Sequence, residues 1–280
     1  MKIIFLHIPK AGGTTLHNIF ERLYPTSEVF TIKGNREHGL DAFKTLSEEE
    51  KAKIQVLKGH MPFGLHSYFK EEIKYITLFR NPVNRVVSHY EYVLRKPKHY
   101  LYERVKGSNM TLEDYALSDL STELDNHQCR SFLDVDDIEI NRFNEIAFDR
   151  VLQNLKKHSV TFGLVEEFDA SLLLFRQELG WSQYPYYVKL NTNPDNRKID
   201  VPQELANKIA ARNRWDVRLY EYAKSEFSRR LQSIPELQGQ LEALRVASEA
   251  YKKGLEEGMR GHQGGNTFNV KRLVRSLFRR

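Results

Sequence analysis

Residues 3–8, Ile-Ile-Phe-Leu-His-Ile, make a nearly unbroken apolar run rich in β-formers, the pattern of a strand buried on both faces of a parallel sheet. Pro9-Lys10-Ala11-Gly12-Gly13 interrupts it. From Thr14 the apolar positions take a helical period, with Leu16, Ile19, Phe20 and Leu23 on one face, until Pro25. Residues 54–58 and 75–79 predict two more strands, ending at Gly59-His60 and at Arg80. Asn81-Pro82 breaks the chain, and a helix follows over 83–95, with Pro82 suited to its first turn. A fourth strand is predicted over 160–165, then a helix over 167–179 closed by Gly180 as a C-cap. Helical periods cover about 111–118, 123–133 and 143–157, and one long helix is predicted over 203–231. Strands alternating with helices predict an α/β fold with a mostly parallel sheet.

The pattern changes near the end. Leu237, Leu241, Leu244, Ser248, Tyr251 and Leu255 are spaced 4, 3, 4, 3 and 4 apart. This is a heptad-like stripe, shorter than a coiled coil needs. It is a candidate face for self-association over 237–255. Gly261 to Gly265 reads as a flexible break, and 270–280 as a basic amphipathic tail. The expected organisation is therefore a catalytic domain over 1–231, a helical extension over 232–260, and the break and tail over 261–280.

Composition narrows the class without naming a function. The chain has 280 residues, 40% hydrophobic and 29% charged, which suits a globular core and excludes collagen-like, disordered and disulfide-scaffold classes. The single cysteine, Cys129, cannot form an internal disulfide and fits a reducing compartment. The net charge of +6 comes from 43 basic and 37 acidic residues. Five of the basic residues, and no acid, lie in 270–280, so residues 1–269 carry 38 against 37. An anionic ligand of the body must therefore be held by placed cations. The tail is a candidate contact for a membrane surface or a protein. No apolar run approaches the ~20 residues of a spanning helix. The N-terminus reads as part of the mature fold, so a cytoplasmic location is expected.

Two segments carry chemistry. The loop Lys10-Ala11-Gly12-Gly13-Thr14-Thr15 lies between a strand and a helix. Glycines there let the backbone approach an anion, the N–H groups of the first helical turn point at it, and Thr14, Thr15 and Lys10 add donors and charge. The pattern is neither G-x-x-x-x-G-K-[ST] nor G-x-G-x-x-G, which removes the main support for a nucleoside triphosphatase or a dinucleotide dehydrogenase. The second segment starts at Arg80, at the carboxyl end of a strand, where open α/β sheets bind ligands. Ser88 follows on the next helix, and Arg85 is three residues from it on the same face. An Arg fork with a hydroxyl suits a terminal phosphate. Two such sites on neighbouring strand ends suit a ligand with two separated phosphate groups.

The residues 9–15 resemble the 5′-phosphosulfate-binding loop of sulfotransferases that use 3′-phosphoadenosine 5′-phosphosulfate (PAPS). Leu78-Phe79-Arg80-Asn81-Pro82-Val83-Asn84-Arg85-Val86-Val87-Ser88-His89-Tyr90 resembles their 3′-phosphate-binding segment. The chain is most similar to the carbohydrate sulfotransferases related to heparan sulfate 2-O-sulfotransferase. Lys58-Gly59-His60-Met61-Pro62-Phe63-Gly64, Asn126-His127-Gln128-Cys129-Arg130, Phe162-Gly163-Leu164-Val165-Glu166-Glu167-Phe168 and Asn213 through Tyr220 resemble further stretches of that group. The resemblance covers about residues 1–230.

The resemblance implies a P-loop-like three-layer α/β fold with a central, mostly parallel sheet flanked by helices, followed here by a helical C-terminal extension. It implies an O-sulfotransferase with PAPS as donor, the product PAP, no metal, a glycan or other hydroxyl acceptor, and no nucleic-acid partner. Lys10, Ala11, Gly12, Gly13, Thr14 and Thr15 would bind the donor with Arg80 and Ser88. Lys10 would stabilise the leaving phosphate and His60 would be the general base, with His7 and His66 as nearby rivals. The chain departs from the Golgi enzymes in having neither membrane anchor nor cysteine pair, so the expectation is a soluble bacterial relative, cytoplasmic or peripheral at the membrane. Arg197 and Lys198, in the loop 193–198, are candidate contacts to donor or acceptor, although a solvated loop is the plainer reading. Trp181, Tyr184, Tyr186 and Tyr187 read as packing. The competing classes are a P-loop-like nucleotide kinase, for which a Lys after the second glycine and a metal-binding Asp are missing, and a non-catalytic nucleotide or polyanion binder.

Overall fold

The computed structural model describes residues 1–33, 36–133, 138–188 and 199–260. The loop with Arg197 and Lys198, the glycine-rich break and the basic tail lie outside the described residues. The strands are β1 Lys2–Leu6, β2 Val29–Ile32, β3 Val56–Gly59, β4 Ile73–Phe79 and β5 Thr161–Leu164. The helices are α1 Gly13–Leu23, α2 Arg36–Lys44, α3 Glu48–Lys53, α4 Pro82–Arg95, α5 Tyr102–Gly107 and α6 Leu112–Ala116. They continue as α7 His127–Arg130, α8 Glu145–Lys157, α9 Phe168–Leu179, α10 Gln203–Arg212, α11 Arg214–Leu231 and α12 Leu237–Arg260.

The sheet is parallel throughout, in the order β2-β3-β1-β4-β5. Helices flank it, giving the P-loop-like α/β fold. Every residue of β1 is buried, as its unbroken apolar run requires of a central parallel strand. Leu6 pairs with Gly59, and Phe5 with Ile76. The carboxyl ends of β3, β1 and β4 therefore lie side by side, and the residues that follow them, His60, the loop 7–12 and Arg80, share one edge.

The strand over 29–32 escaped sequence reading because it is a four-residue edge strand lying only partly in the core. It runs so close to β3 that a Cβ on Gly59, whose φ is +140°, would meet the Ile32 carbonyl at 2.5 Å. The long helix expected over 203–231 breaks at Asn213. The Asn213 side chain accepts the Asn126 N–H at 2.9 Å and donates to the Ile209 carbonyl at 3.1 Å. The helix expected over 123–133 is a 3-10 turn, Thr122–Leu124, and the single turn α7, separated by Asn126 in the left-handed conformation. Other boundaries follow local chemistry. Asn81 caps α4 by accepting from Asn84 N–H, with Pro82 at the first turn, and Gly180 closes α9 at φ 65°.

The stripe on α12 faces the chain's own body. Leu244 is buried in the main core, with Leu237 and Leu241 packed against it. Ser248 accepts the Tyr187 N–H at 3.2 Å, and Arg22 stacks on Tyr186 at 3.8 Å. The aromatic residues expected to pack do so: Trp181 donates to the Tyr24 hydroxyl at 2.9 Å, and Tyr187 to Asp169 at 2.7 Å. Among the described residues no helix is long and apolar enough to cross a membrane.

Candidate active site

The loop after β1 turns sharply into a helix. Lys10 and Gly12 both take left-handed φ values, 65° and 71°. This conformation costs little for glycine and about 1 kcal/mol or more for lysine. It turns the chain so that α1 starts at Gly13 with no acidic residue in its first turn. The N–H groups there lack intrahelical partners and carry the positive end of the helix dipole. Ala11 is buried and donates to the Ile8 carbonyl at 3.2 Å, while Thr14 is exposed and Thr15 half-buried.

The Lys10 ammonium lies 4.1 Å from the centre of the Tyr92 ring. Burial, then the cations Arg95 and Arg80, bring its pKa down to about 8. The Lys10 carbonyl accepts from Arg80 Nη1 at 3.0 Å, so the cation at the end of β4 is tied directly to the loop after β1.

Arg80 is held by its backbone as well. The buried Gln128 accepts the Arg80 N–H at 2.9 Å through Oε1 and donates Nε2 to the Arg80 carbonyl at 2.8 Å. Glu166 accepts the Asn81 N–H at 3.0 Å and the Tyr220 hydroxyl at 2.9 Å. Asn126 and Asp216 cap each other's helices: Asn126 Oδ1 accepts the Trp215 and Asp216 N–H groups at 2.9 and 3.2 Å. Asp216 in turn accepts the Gln128 and Cys129 N–H groups at 3.1 and 2.8 Å. Three stretches far apart in sequence thus converge on the backbone of Arg80 and Asn81.

Ser88 is half-buried on the second turn of α4. Arg85, which helical spacing puts on its face, is fully buried instead. Arg85 donates Nη2 to the Glu123 carbonyl at 2.7 Å, and its Nε and Nη1 have no hydrogen-bond partner among the described residues. It belongs to the interior and not to a ligand fork. Beyond Ser88, ligand atoms of His89, His99 and Glu123 lie within 4.8 Å of one another. That donor set would suit a divalent cation, but its atoms are engaged. His89 Nδ1 meets the Tyr115 hydroxyl at 2.7 Å, His89 Nε2 meets Glu123 at 2.8 Å, and His99 Nδ1 accepts the Leu101 N–H at 3.3 Å. Burial acts to raise the Glu123 carboxyl, yet the hydrogen bond and charge of His89 hold it below the usual range. The cluster reads as a network joining α4 to the segment 99–123.

The third element is imidazole. His60 is exposed at the end of β3, and its Nδ1 donates to the His7 carbonyl at 2.8 Å. A carbonyl can only accept, so the neutral ring carries its proton on Nδ1 and its basic lone pair on Nε2. The His60 ring stacks on His7 at 4.2 Å, and His7 Nδ1 is 2.9 Å from His17 Nε2. Burial, then the nearby His60 and His17, push His7 well below its ordinary value, and burial with Lys58 brings His17 to about 3. The other rival, His66, bonds the Tyr75 hydroxyl at 3.0 Å and lies against His158. Tyr75 is on the first half of β4, roughly 16 Å of strand from Arg80, so His66 is not at this edge.

The structure thus brings Lys10, Ala11, Gly12, Gly13, Thr14, Thr15, Arg80 and His60 to one edge of the sheet, with Ser88 on the helix that leaves it. Sequence reading missed the clamp roles of Gln128 and Glu166, the Tyr92 contact and the His7–His17 pair. The only signal for the first two was a buried-looking polar residue inside a familiar stretch.

The sulfotransferase family model matches residues 1–223 of the chain. No curated protein matches it. Among solved structures, mouse sulfotransferase SULT7A1 complexed with PAP shares 18% identity, covering 75% of this chain and 63% of that one, with a TM-score of 0.39. A sulfotransferase from Alicyclobacillus acidocaldarius shares 14% identity, covering 81% of this chain and 98% of that one, with a TM-score of 0.44. The chain thus spans less than two thirds of the mouse enzyme's length.

Proposed function

Because the chain belongs to the sulfotransferase family over residues 1–223, we propose that it moves a sulfuryl group from PAPS to a hydroxyl of a carbohydrate acceptor. The observation that carries this reading is the 3.0 Å contact between Arg80 and the Lys10 carbonyl. It makes one unit of two anion-binding strand ends, as a donor with phosphates at both ends of its nucleoside requires.

In this reading the N–H groups of Gly12 to Thr15 hold the 5′-phosphate, and Arg80 with Ser88 holds the 3′-phosphate. Lys10, with a pKa of about 8, is mostly protonated at neutral pH. Its flexible stem lets the ammonium leave the Tyr92 ring and neutralise charge growing on the leaving phosphate. His60 Nε2 takes the proton of the acceptor hydroxyl as that oxygen bonds to sulfur, while the bond from sulfur to the bridging phosphate oxygen breaks and PAP departs. The carbohydrate acceptor rests on the resemblance around His60 and on the hydroxyl chemistry a neutral base can serve.

The test is incubation with PAPS labelled in its sulfate, against a panel of glycans, lipids and small alcohols. Label should pass to a glycan. PAP at 100 times its Kd should stabilise the protein by about 2.7 kcal/mol. Absence of both label transfer and stabilisation would refute the reading; transfer confined to lipids or small alcohols would overturn only the acceptor class.

A further inference from the structure

His7 lies between the two halves of the site. On one side a Cβ on Gly13, the first residue of α1, would sit 2.0 Å from His7 Nε2, so the imidazole edge fills the space a side chain there would need. On the other side its ring stacks on His60 at 4.2 Å with an interplanar angle of 27°. Its Nδ1 is fixed by His17 Nε2 at 2.9 Å, and its carbonyl accepts from His60 Nδ1 at 2.8 Å. Phe5 stacks on it at 5.6 Å from behind.

An exposed imidazole ordinarily samples several rotamers, and ordering it costs conformational entropy. His60 is exposed, yet a hydrogen bond and a ring face from the same residue hold it. We propose that His7 is a positioning residue: wedged between Gly13 and the His60 ring, its side chain sets the base at a fixed distance from the turn at Gly12-Gly13 and holds it against the His7 backbone carbonyl, whose hydrogen bond to Nδ1 leaves the lone pair on Nε2. This rests on His60 being the general base. The ring that touches the base is also one that stays uncharged, since burial and the adjoining histidines oppose its protonation. An uncharged neighbour does not repel His60 when it takes up a proton.

The experiment uses the full chain labelled with ¹⁵N in its histidines, with PAP added, and reads ring tautomers by long-range ¹H–¹⁵N correlation. The wild-type His60 should show one protonated Nδ1 and one bare Nε2. In His7→Ala and in the better-filled His7→Leu, His60 should become a tautomer mixture, and His7→Phe, which keeps a flat ring, should restore the single form. Turnover of PAPS with desulfated heparan should follow, kcat falling about 10- to 100-fold in the Ala and Leu variants at little-changed PAP affinity. An unchanged single tautomer in both variants overturns the proposal, as does a failure of His7→Phe to restore it. The base assignment is judged separately by His60→Ala: wild-type turnover there would remove the base while leaving the tautomer result to stand for His7.

Discussion

Gln128 is the residue whose loss should be felt in both stability and donor binding. Its side-chain amide satisfies the N–H and the C=O of Arg80 at 2.9 and 2.8 Å, and it is wholly buried. In Gln128→Ala both backbone groups lose their partner in the interior. An orphaned buried donor or acceptor costs about 1–3 kcal/mol, and the emptied volume adds to that. Water entry would offset part of this, so a total near 3 kcal/mol is expected. For a domain of this size that is a fall of about 6–12 °C in Tm. The same change frees the backbone that aims the Arg80 guanidinium at the Lys10 carbonyl, so PAP affinity should fall about tenfold or more. Urea denaturation gives the first quantity and titration calorimetry with PAP the second. Gln128→Glu keeps an acceptor for the N–H but loses the donor to the carbonyl, and should fall between wild type and Gln128→Ala in stability. A Gln128→Ala protein within 0.5 kcal/mol of wild type, or with unchanged PAP affinity, would refute the clamp.

Lys10 supplies a pH dependence. Its pKa in the free protein is near 8, and a bound phosphate must raise it, so above pH 8 PAP binding should take up a proton and affinity should fall, by at most tenfold per pH unit; calorimetry in buffers of different ionisation enthalpy reads the uptake, and none at pH 8.5 would remove Lys10 from the phosphate. Arg80→Ala should weaken PAP binding strongly, whereas His60→Ala should keep PAP binding and lose about two or more orders of magnitude in turnover; the two variants are separated by calorimetry against a turnover assay. Leu244→Ala should cost about 2–5 kcal/mol in urea denaturation, because Leu244 is 1% exposed in the main core; a neutral result would detach α12 from the body.

Some of the molecule was legible in local pattern. β1 was readable because a strand buried on both faces carries an unbroken apolar run, and α4 because Asn81-Pro82 stops one element and starts the next. The loop with Gly12 stood out because a lysine, two glycines and two threonines fall together between a strand and a helix. β2 was not readable: four residues at a sheet edge have too few buried positions to set a period. Asn213 was not readable as a helix break, since an asparagine inside a helical stretch is common. What breaks the helix is a hydrogen bond to Asn126, 87 residues away.

By itself, then, the sequence determined β1, β3, β4 and β5, the helices that follow β1, β4 and β5, the glycine turn after β1 and the cation after β4, because backbone conformation at glycine, proline and helix ends is a near-neighbour matter. The tertiary structure alone decided that β3, β1 and β4 lie side by side, which puts His60, Lys10 and Arg80 at one edge. It also decided that Arg85 is buried, that Gln128 and Glu166 hold the Arg80 turn, and that His7 stands between Gly13 and His60. Those contacts join residues tens of positions apart, Gln128 to Arg80 across 48 and His60 to His7 across 53. No local spacing encodes them; they exist only once parallel strands stack their carboxyl ends together.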